Sequence, residues 1–148
     1  MSGGYLLDTS VFSALSPGRP ELLTPAGEWL RKNVDSFRIC AITLSEIQQG
    51  ISSLKRRGGA ERAARLKDWL DAIYIEAPER IISIDRFIAI EAGAMSDSAT
   101  ALGRNPGFPD VLIAATAKVH KAELLTRNGR HFASLGIKYS DPFENSLN

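Results

Sequence analysis

The sequence predicts an α/β fold, with a central parallel sheet of about five strands and helices on both faces. Short apolar runs indicate strands at residues 5–7, 38–42, 80–84, 123–126 and 137–139. Segments with helical spacing separate these runs, and such alternation is typical of crossover units that build parallel sheets. A chain of 148 residues is expected to be one domain, 1–148, with its core at about 5–143.

The helices are predicted from apolar spacing and from end signals. The segment ELLTPAGEWLRKNV favours a helix that starts near Pro25. TLSEIQQGISSLKRR begins with Thr43 and Glu46 in the spacing of a capping box, and AERAARLKDWLDAIY completes a helical hairpin after it. DRFIAIEAGAMSDSATAL and PDVLIAATAKVHKA predict two more helices, the second with Pro109 in its first turn.

Composition excludes several classes of protein. The net charge of +1 gives no overall basic field of the kind that marks many nucleic-acid-binding proteins. The single cysteine, Cys40, lies in an apolar run and is expected to be a core residue, and a lone thiol fits a reducing compartment. No run approaches the ~20 apolar residues of a membrane span, and the N-terminus lacks the features of a signal peptide. The expectation is a cytoplasmic protein with no membrane partner.

Three acids occupy positions compatible with the carboxyl edge of the predicted sheet, where ligands of such sheets bind. Asp8 directly follows the first strand, Glu46 is expected in the first turn after the second strand, and Asp110 opens the helix before the fourth. Each acid has a simpler explanation by itself. Asp8 would cap a helix, Glu46 would complete a capping box with Thr43, and Asp110 would be an ordinary first-turn acid.

The three acids together are harder to explain in that way. Carboxylates gathered within a few ångströms repel one another unless a cation lies among them. Their oxygens suit Mg²⁺ or Mn²⁺, whereas two histidines and one cysteine, widely separated, predict no zinc cluster.

Four segments resemble the PIN-domain family, and within it the VapC- and FitB-type toxins of bacterial toxin–antitoxin pairs. They are YLLDTSVFSAL, AITLSEIQQGI, FPDVLIAATAKVHKAELLTRNGRHF and LGIKYSDPF, in that order along residues 5–143. The resemblance implies a PIN-like α/β fold and a metal-dependent endoribonuclease. It places the catalytic and metal-binding acids at Asp8, Glu46 and Asp110, with Mg²⁺ or Mn²⁺ as cofactor.

The resemblance also assigns supporting residues. The hydroxyl after the first acid is Thr9 or Ser10, and Ser10 is favoured for a hydrogen bond to a metal-bound group. Members often carry a fourth acid where this chain has Asn128, so a second metal is in doubt. His131 stands where many relatives have aspartate, and an ordinary surface role is preferred for it.

Basic residues are expected to bind the RNA backbone. Arg104, Arg127 and Arg130 flank the helix that Asp110 opens and the fourth strand. The basic run at 55–57 is more simply explained as an exposed turn. As family expectations, the partners are an RNA substrate, an antitoxin of VapB or FitA type, and a second copy in a homodimer.

The main alternative is a catalytically weak or inactive PIN domain that binds RNA or protein. A haloacid-dehalogenase-type phosphatase would need a second aspartate at position 10, and a dinucleotide-binding module would need glycines after the first strand.

Overall fold

The computed structural model describes residues 3–144. The strands are β1 (Tyr5–Leu7), β2 (Phe37–Cys40), β3 (Ile81–Ile82), β4 (Glu123–Leu125) and β5 (Tyr139–Ser140). The α-helices are α1 (Thr9–Ala14), α2 (Pro25–Lys32), α3 (Ala41–Arg56), α4 (Ala60–Glu76), α5 (Arg86–Ala101), α6 (Phe108–Val119) and α7 (Gly129–Phe132). Short 3₁₀ helices cover Pro20–Leu23, Val34–Ser36 and Pro78–Arg80.

The five strands form one parallel sheet in the order β3-β2-β1-β4-β5. β1 lies in the centre, where Tyr5 is in register with Phe37 of β2 and with Glu123 of β4. Because all strands run in the same direction, the residues that follow β1, β2 and β4 meet at one edge. The fold class predicted from the sequence is confirmed.

Helices cover both faces of the sheet, and each face has its own core. Leu6 and Leu124 point to the face covered by α5 and α6, where Ile88 and Ile113 are fully buried. The neighbouring residues Leu7 and Leu125 point to the other face, against α1 to α4. This alternation follows from the two-residue period of a strand and confirms that strands of the central sheet are buried on both sides.

Several predicted boundaries are corrected. The second strand was expected at 38–42, but it ends at Cys40, and α3 begins at Ala41. Thr43 is therefore inside the helix rather than at its cap, so the predicted capping box is wrong and Glu46 lies in the second turn instead of the first. An unbroken apolar run contains no signal for a change from strand to helix, which is why the boundary was misplaced. The last strand is Tyr139–Ser140 rather than 137–139.

Other expectations are confirmed. α2 begins at Pro25, α3 and α4 form a hairpin across the Gly-Gly turn, and α6 has Pro109 in its first turn. Cys40 is fully buried in the core. Among residues 3–144, none of the helices is both long and apolar enough to cross a membrane.

Candidate active site

Asp8 lies at the junction of β1 and α1, and its carboxylate is held by three donors. The backbone N–H of Thr9 donates to Oδ1 at 2.7 Å, and the hydroxyls of Ser10 and Thr126 donate to Oδ2 at 2.8 and 2.7 Å. The residue is only 3% exposed. Asp8 is the N-cap of α1 and at the same time a buried carboxylate fixed by residues from two strand ends.

The donors to Asp8 are themselves held from the end of β4. The backbone N–H of Arg127 donates to Ser10 Oγ at 3.1 Å, and that of Asn128 donates to Thr126 Oγ1 at 2.9 Å. Each hydroxyl thus accepts one hydrogen bond and gives its own proton to Asp8. The turn after β4 therefore sets the direction of the Asp8 carboxylate.

Glu46 reaches the same edge from the second turn of α3. Thr9 Oγ1 donates to Glu46 Oε1 at 2.6 Å and lies 3.0 Å from Thr43 Oγ1. Because the single hydroxyl proton of Thr9 goes to Glu46, Thr43 is the donor to Thr9. Thr9 and Thr43 thus join α1 to α3 and orient the second acid.

Asp110 lies in the first turn of α6, beside His131 of α7. His131 Nδ1 is 3.2 Å from Asp110 Oδ2, and the histidine side chain is about half exposed. His131 is a surface residue at the end of a short helix, as expected, and it also contacts one of the three acids. Partial burial and the negative charge of Asp8 raise the pKa of Asp110, and the nearby His131 opposes that rise.

The three acids are close enough for their charges to interact. Burial is the largest cause that raises the pKa of Glu46, the hydrogen bond from Thr9 opposes it, and the charges of Asp8 and Asp110 raise it further. Acids from residues 8, 46 and 110 thus share one electrostatic environment at the edge of the sheet. A cation at this edge would relieve their repulsion.

The chemistry of the three acids fits a divalent cation that prefers oxygen ligands. A carboxylate has about four acceptor positions, and Asp8 uses three of them, so each acid retains capacity for a ligand bond. In the part of the chain that the structure describes, no three histidine, cysteine, aspartate or glutamate side chains already form a metal-binding cluster. The acids share an edge without forming a closed ligand cage.

The three arginines predicted to bind RNA have different surroundings. Arg104 and Arg130 line an open cleft of about 750 Å³ together with Asp110 and His131. The guanidinium of Arg127 instead pairs with Glu21 at 2.7 Å and stacks over the ring of Phe143, 4.6 Å from its centroid. Two of the three arginines thus flank Asp110, and the third is engaged by other side chains.

Some residues of this edge were not assigned from the sequence. The sequence predicts Thr126 as the end of a strand and Thr43 as a helix cap, whereas in the structure the first donates to Asp8 and the second to Thr9. One available signal was that Thr126 directly follows β4, as Asp8 follows β1. Asn128 is exposed at the start of α7, and its predicted place among the metal-supporting residues stays a prediction.

Known structures resemble this chain over nearly its whole length. A FitAB complex bound to an IR36 DNA fragment is 25% identical, with a TM-score of 0.80 over 97% of this chain and 99% of that chain. FitAcB from Neisseria gonorrhoeae is 24% identical, with a TM-score of 0.76 over 95% of this chain and 99% of the other. DNA-bound VapBC from Salmonella typhimurium is 23% identical, with a TM-score of 0.74 over 96% and 99% of the two chains. The predicted likeness to the VapC and FitB type is confirmed as a likeness of fold.

A comparison with curated proteins finds no match. The family model of the PIN domain matches residues 5–138, which include Asp8, Glu46 and Asp110. On this match, and with the parallel sheet and its acid-bearing edge, the chain belongs to the PIN domain family.

Proposed function

We propose that this protein is a metal-dependent endoribonuclease that hydrolyses RNA phosphodiester bonds as the toxin of a toxin–antitoxin pair. The observation that carries the proposal is the meeting of Asp8, Glu46 and Asp110, from distant parts of the chain, in one electrostatic environment. Membership of the PIN domain family and the fold shared with FitAB and VapBC complexes support it.

Asp8 and Asp110 would hold Mg²⁺ or Mn²⁺ directly, with Glu46 as a third ligand or as a holder of bound water. Such an ion lowers the pKa of a bound water and neutralises charge on phosphoryl oxygens. The protein's own contribution is orientation: Ser10 and Thr126 aim Asp8, and Thr9 aims Glu46. Arg104 and Arg130, in the cleft beside Asp110, would hold phosphates of the RNA strand.

An RNA cleavage assay tests this function. Asp8→Ala and Asp110→Asn are expected to abolish Mg²⁺-dependent cleavage, because each removes a ligand of the cation. Circular dichroism checks that each variant is folded, since Asp8→Ala also removes the N-cap of α1 and three hydrogen bonds. Glu28→Gln removes an exposed carboxylate of α2 and serves as the control, with cleavage expected to equal the parent's. Parent-like cleavage by either aspartate variant would show that the reaction centre lies elsewhere.

The alternative is a PIN domain that binds RNA or protein without cutting RNA. Asn128 in place of an acid favours it, as does the lack of a ready-made metal cluster among residues 3–144. The same assay, repeated in Mn²⁺, separates the two functions. RNA binding that needs no metal and leaves the RNA intact would support the binding module.

An apolar groove supports an antitoxin of VapB or FitA type as a partner. The groove has a volume of about 290 Å³ and is lined by Phe12, Leu15, Trp69 and Ile73, with Arg31 also contributing. It fits an apolar segment that carries an acid next to its apolar side chains. A short reading frame beside this gene is expected to encode that partner, and its product should suppress RNA cleavage when added to the purified protein.

The exposed face of α5 supports a homodimer. Phe87 and Ile90 are 59% and 76% exposed, and no atom lies within 4 Å of where a Cβ would stand on Gly93, so the face has an apolar knob and a notch. Arg86 and Asp97 lie towards opposite ends of this face. In an antiparallel pairing of two copies of α5, Ile90 would fill the partner's notch and these charges would meet opposite charges.

A further inference from the structure

Two arginines from distant parts of the chain converge on a single carboxylate oxygen. Arg19 and Arg127 each direct a guanidinium nitrogen to Glu21 Oε2, at 2.9 and 2.7 Å. The hydrogen bond from Arg19 is the largest cause that lowers the pKa of Glu21 to about 2, followed by the backbone N–H of Glu21 and then by Arg127, so the carboxylate stays ionised. The cluster therefore contains two fixed positive charges around one negative charge, which leaves one positive charge unbalanced.

This cluster lies next to the candidate active site. The backbone N–H of Arg127 donates to Ser10, whose hydroxyl donates to Asp8, so one hydroxyl group separates the arginine's main chain from the first acid. On its other side, Gly18 lies against Arg62 of α4, whose guanidinium would be 3.4 Å from a Cβ at that glycine. Positive groups thus extend from the edge of the acid site towards α4.

The surroundings allow Glu21 to leave the arginines without a change of fold. Its carbonyl is held by the backbone N–H and the hydroxyl of Thr24, so rotation of the side chain alone would release the two guanidiniums. Arg127 also rests on the ring of Phe143 and would keep its place. The two arginine side chains are 42% and 37% exposed, which leaves them within reach of a ligand from solvent.

We propose that Arg19 and Arg127 form a binding site for one phosphate of the RNA strand, and that Glu21 fills this site in the free protein. The proposal rests on the proposed function, because RNA is the ligand. A guanidinium group matches the geometry and charge of the oxygens of a phosphate or a carboxylate, and it can bind either group through two parallel hydrogen bonds. Three acids repel RNA at the reaction centre, and an adjacent pair of arginines supplies the attraction that the strand needs there.

The inference gives Glu21 a definite effect on binding. An arriving phosphate has to displace the carboxylate, so Glu21 weakens RNA binding. As long as Glu21 fills the site, the protein has one position fewer at which it can bind a phosphate of the RNA. Its isosteric replacement by glutamine removes the negative charge that pairs with both arginines and keeps the shape of the side chain.

RNA binding by the full-length protein in EDTA tests the proposal without any contribution from catalysis. The probe is a fluorescent single-stranded RNA oligonucleotide of mixed sequence, titrated at several salt concentrations. Glu21→Gln is expected to bind RNA about threefold more tightly than the parent, a change that corresponds to the free energy of a weak ion pair. The slope of log K against log salt concentration is expected to be steeper by about 0.7, the value for one more phosphate contact with a single strand. Arg19→Gln and Arg127→Gln are expected to bind more weakly than the parent.

The double variant Glu21→Gln/Arg127→Gln separates a phosphate site from a general effect of charge. At a phosphate site, the gain from Glu21→Gln disappears once Arg127 is absent. The matched control is Glu28→Gln, which removes the same charge from an exposed pair with Lys32 and is expected to leave binding near the parent's value.

Three results would overturn the proposal: equal binding by Glu21→Gln and Glu28→Gln, a gain that persists without Arg127, or weaker binding by Glu21→Gln. Thermal denaturation checks that each variant is folded. If Glu21→Gln is not folded, RNA binding by Arg19→Gln still tests the site. Metal-dependent cleavage by the parent together with one of these results would reject the phosphate site and leave the nuclease function standing. A parent that neither binds nor cleaves RNA would reject both.

Discussion

Hydroxyl groups at the ends of two strands determine where the acids of this site point. Ser10 and Thr126 donate to Asp8, and Thr9 donates to Glu46, so both carboxyl groups are held in place by short side chains with few rotamers. The sequence indicated Asp8 because it follows a strand and Asp110 because it opens a helix, whereas Glu46 was expected one turn too early in α3. It did not predict Thr126 and Thr43, because the partner of a hydroxyl depends on residues that approach only in the folded chain.

The pKa of Glu21 gives a prediction at the same scale. It lies at about 2 in the folded protein and 4.5 in an ordinary glutamate, so the ionised carboxylate stabilises the fold above pH 4.5. This contribution is lost as the pH falls from 4.5 towards 2. After screening by solvent it is on the order of 1 kcal/mol.

Urea denaturation at a series of pH values measures this effect. Glu21→Gln is expected to lower the free energy of unfolding at pH 7, and its difference from the parent should shrink between pH 4.5 and 2. Glu28→Gln, at an exposed pair, is expected to show little difference at any pH. A difference for Glu21→Gln that does not vary with pH would mean that the ion pairs with Arg19 and Arg127 are not its source.

At the scale of elements, close contact between a short 3₁₀ turn and α2 fixes the position of Glu21. A Cβ on Gly27 would lie 2.1 Å from the carbonyl oxygen of Glu21, a distance that no side chain can occupy. Thr24 caps α2 through Gly27 and also holds the Glu21 carbonyl. The sequence indicated the start of α2 from Pro25, but it did not indicate the 3₁₀ turn that packs against the helix.

Gly27→Ala should therefore be destabilising although alanine is the better helix former. Overpacking against backbone atoms costs about 1–3 kcal/mol. Gly50→Ala is the matched control, because Gly50 is inside α3 with nothing within 4 Å of a new Cβ. It is expected to raise the free energy of unfolding by about 0.5–1 kcal/mol. Equal effects of the two changes in urea denaturation would contradict the close contact at Gly27.

At the scale of the whole molecule, the parallel sheet brings together residues that are far apart in sequence. Strand and helix alternation was enough to predict the sheet, its two covered faces and the edge that carries Asp8, Glu46 and Asp110. The boundary of β2 and α3 was misplaced because the apolar run through Cys40 fits either element. The contact of His131 with Asp110 was missed because it depends on how α7 packs against α6.

The proposed homodimer gives a prediction for the assembled protein. Ile90→Glu places charge in the centre of the exposed face of α5 and is expected to convert a dimer into a monomer in sedimentation analysis. Ile75→Glu is the control, since Ile75 is 63% exposed on α4, outside that face. A parent that is monomeric at high concentration, or a dimer that survives Ile90→Glu, would reject this surface.

We propose that three carboxylates, remote in sequence, jointly hold one divalent cation. Calorimetric titration of the metal-free protein with Mn²⁺ tests it most directly, with Asp8→Asn, Glu46→Gln and Asp110→Asn measured beside the parent. One binding event is expected in the parent, and each of the three variants is expected to weaken it at least about tenfold, the usual effect of disturbing a metal site's ligands or their supports. Parent-like Mn²⁺ affinity in any one of the three variants would contradict a cation that all three acids hold.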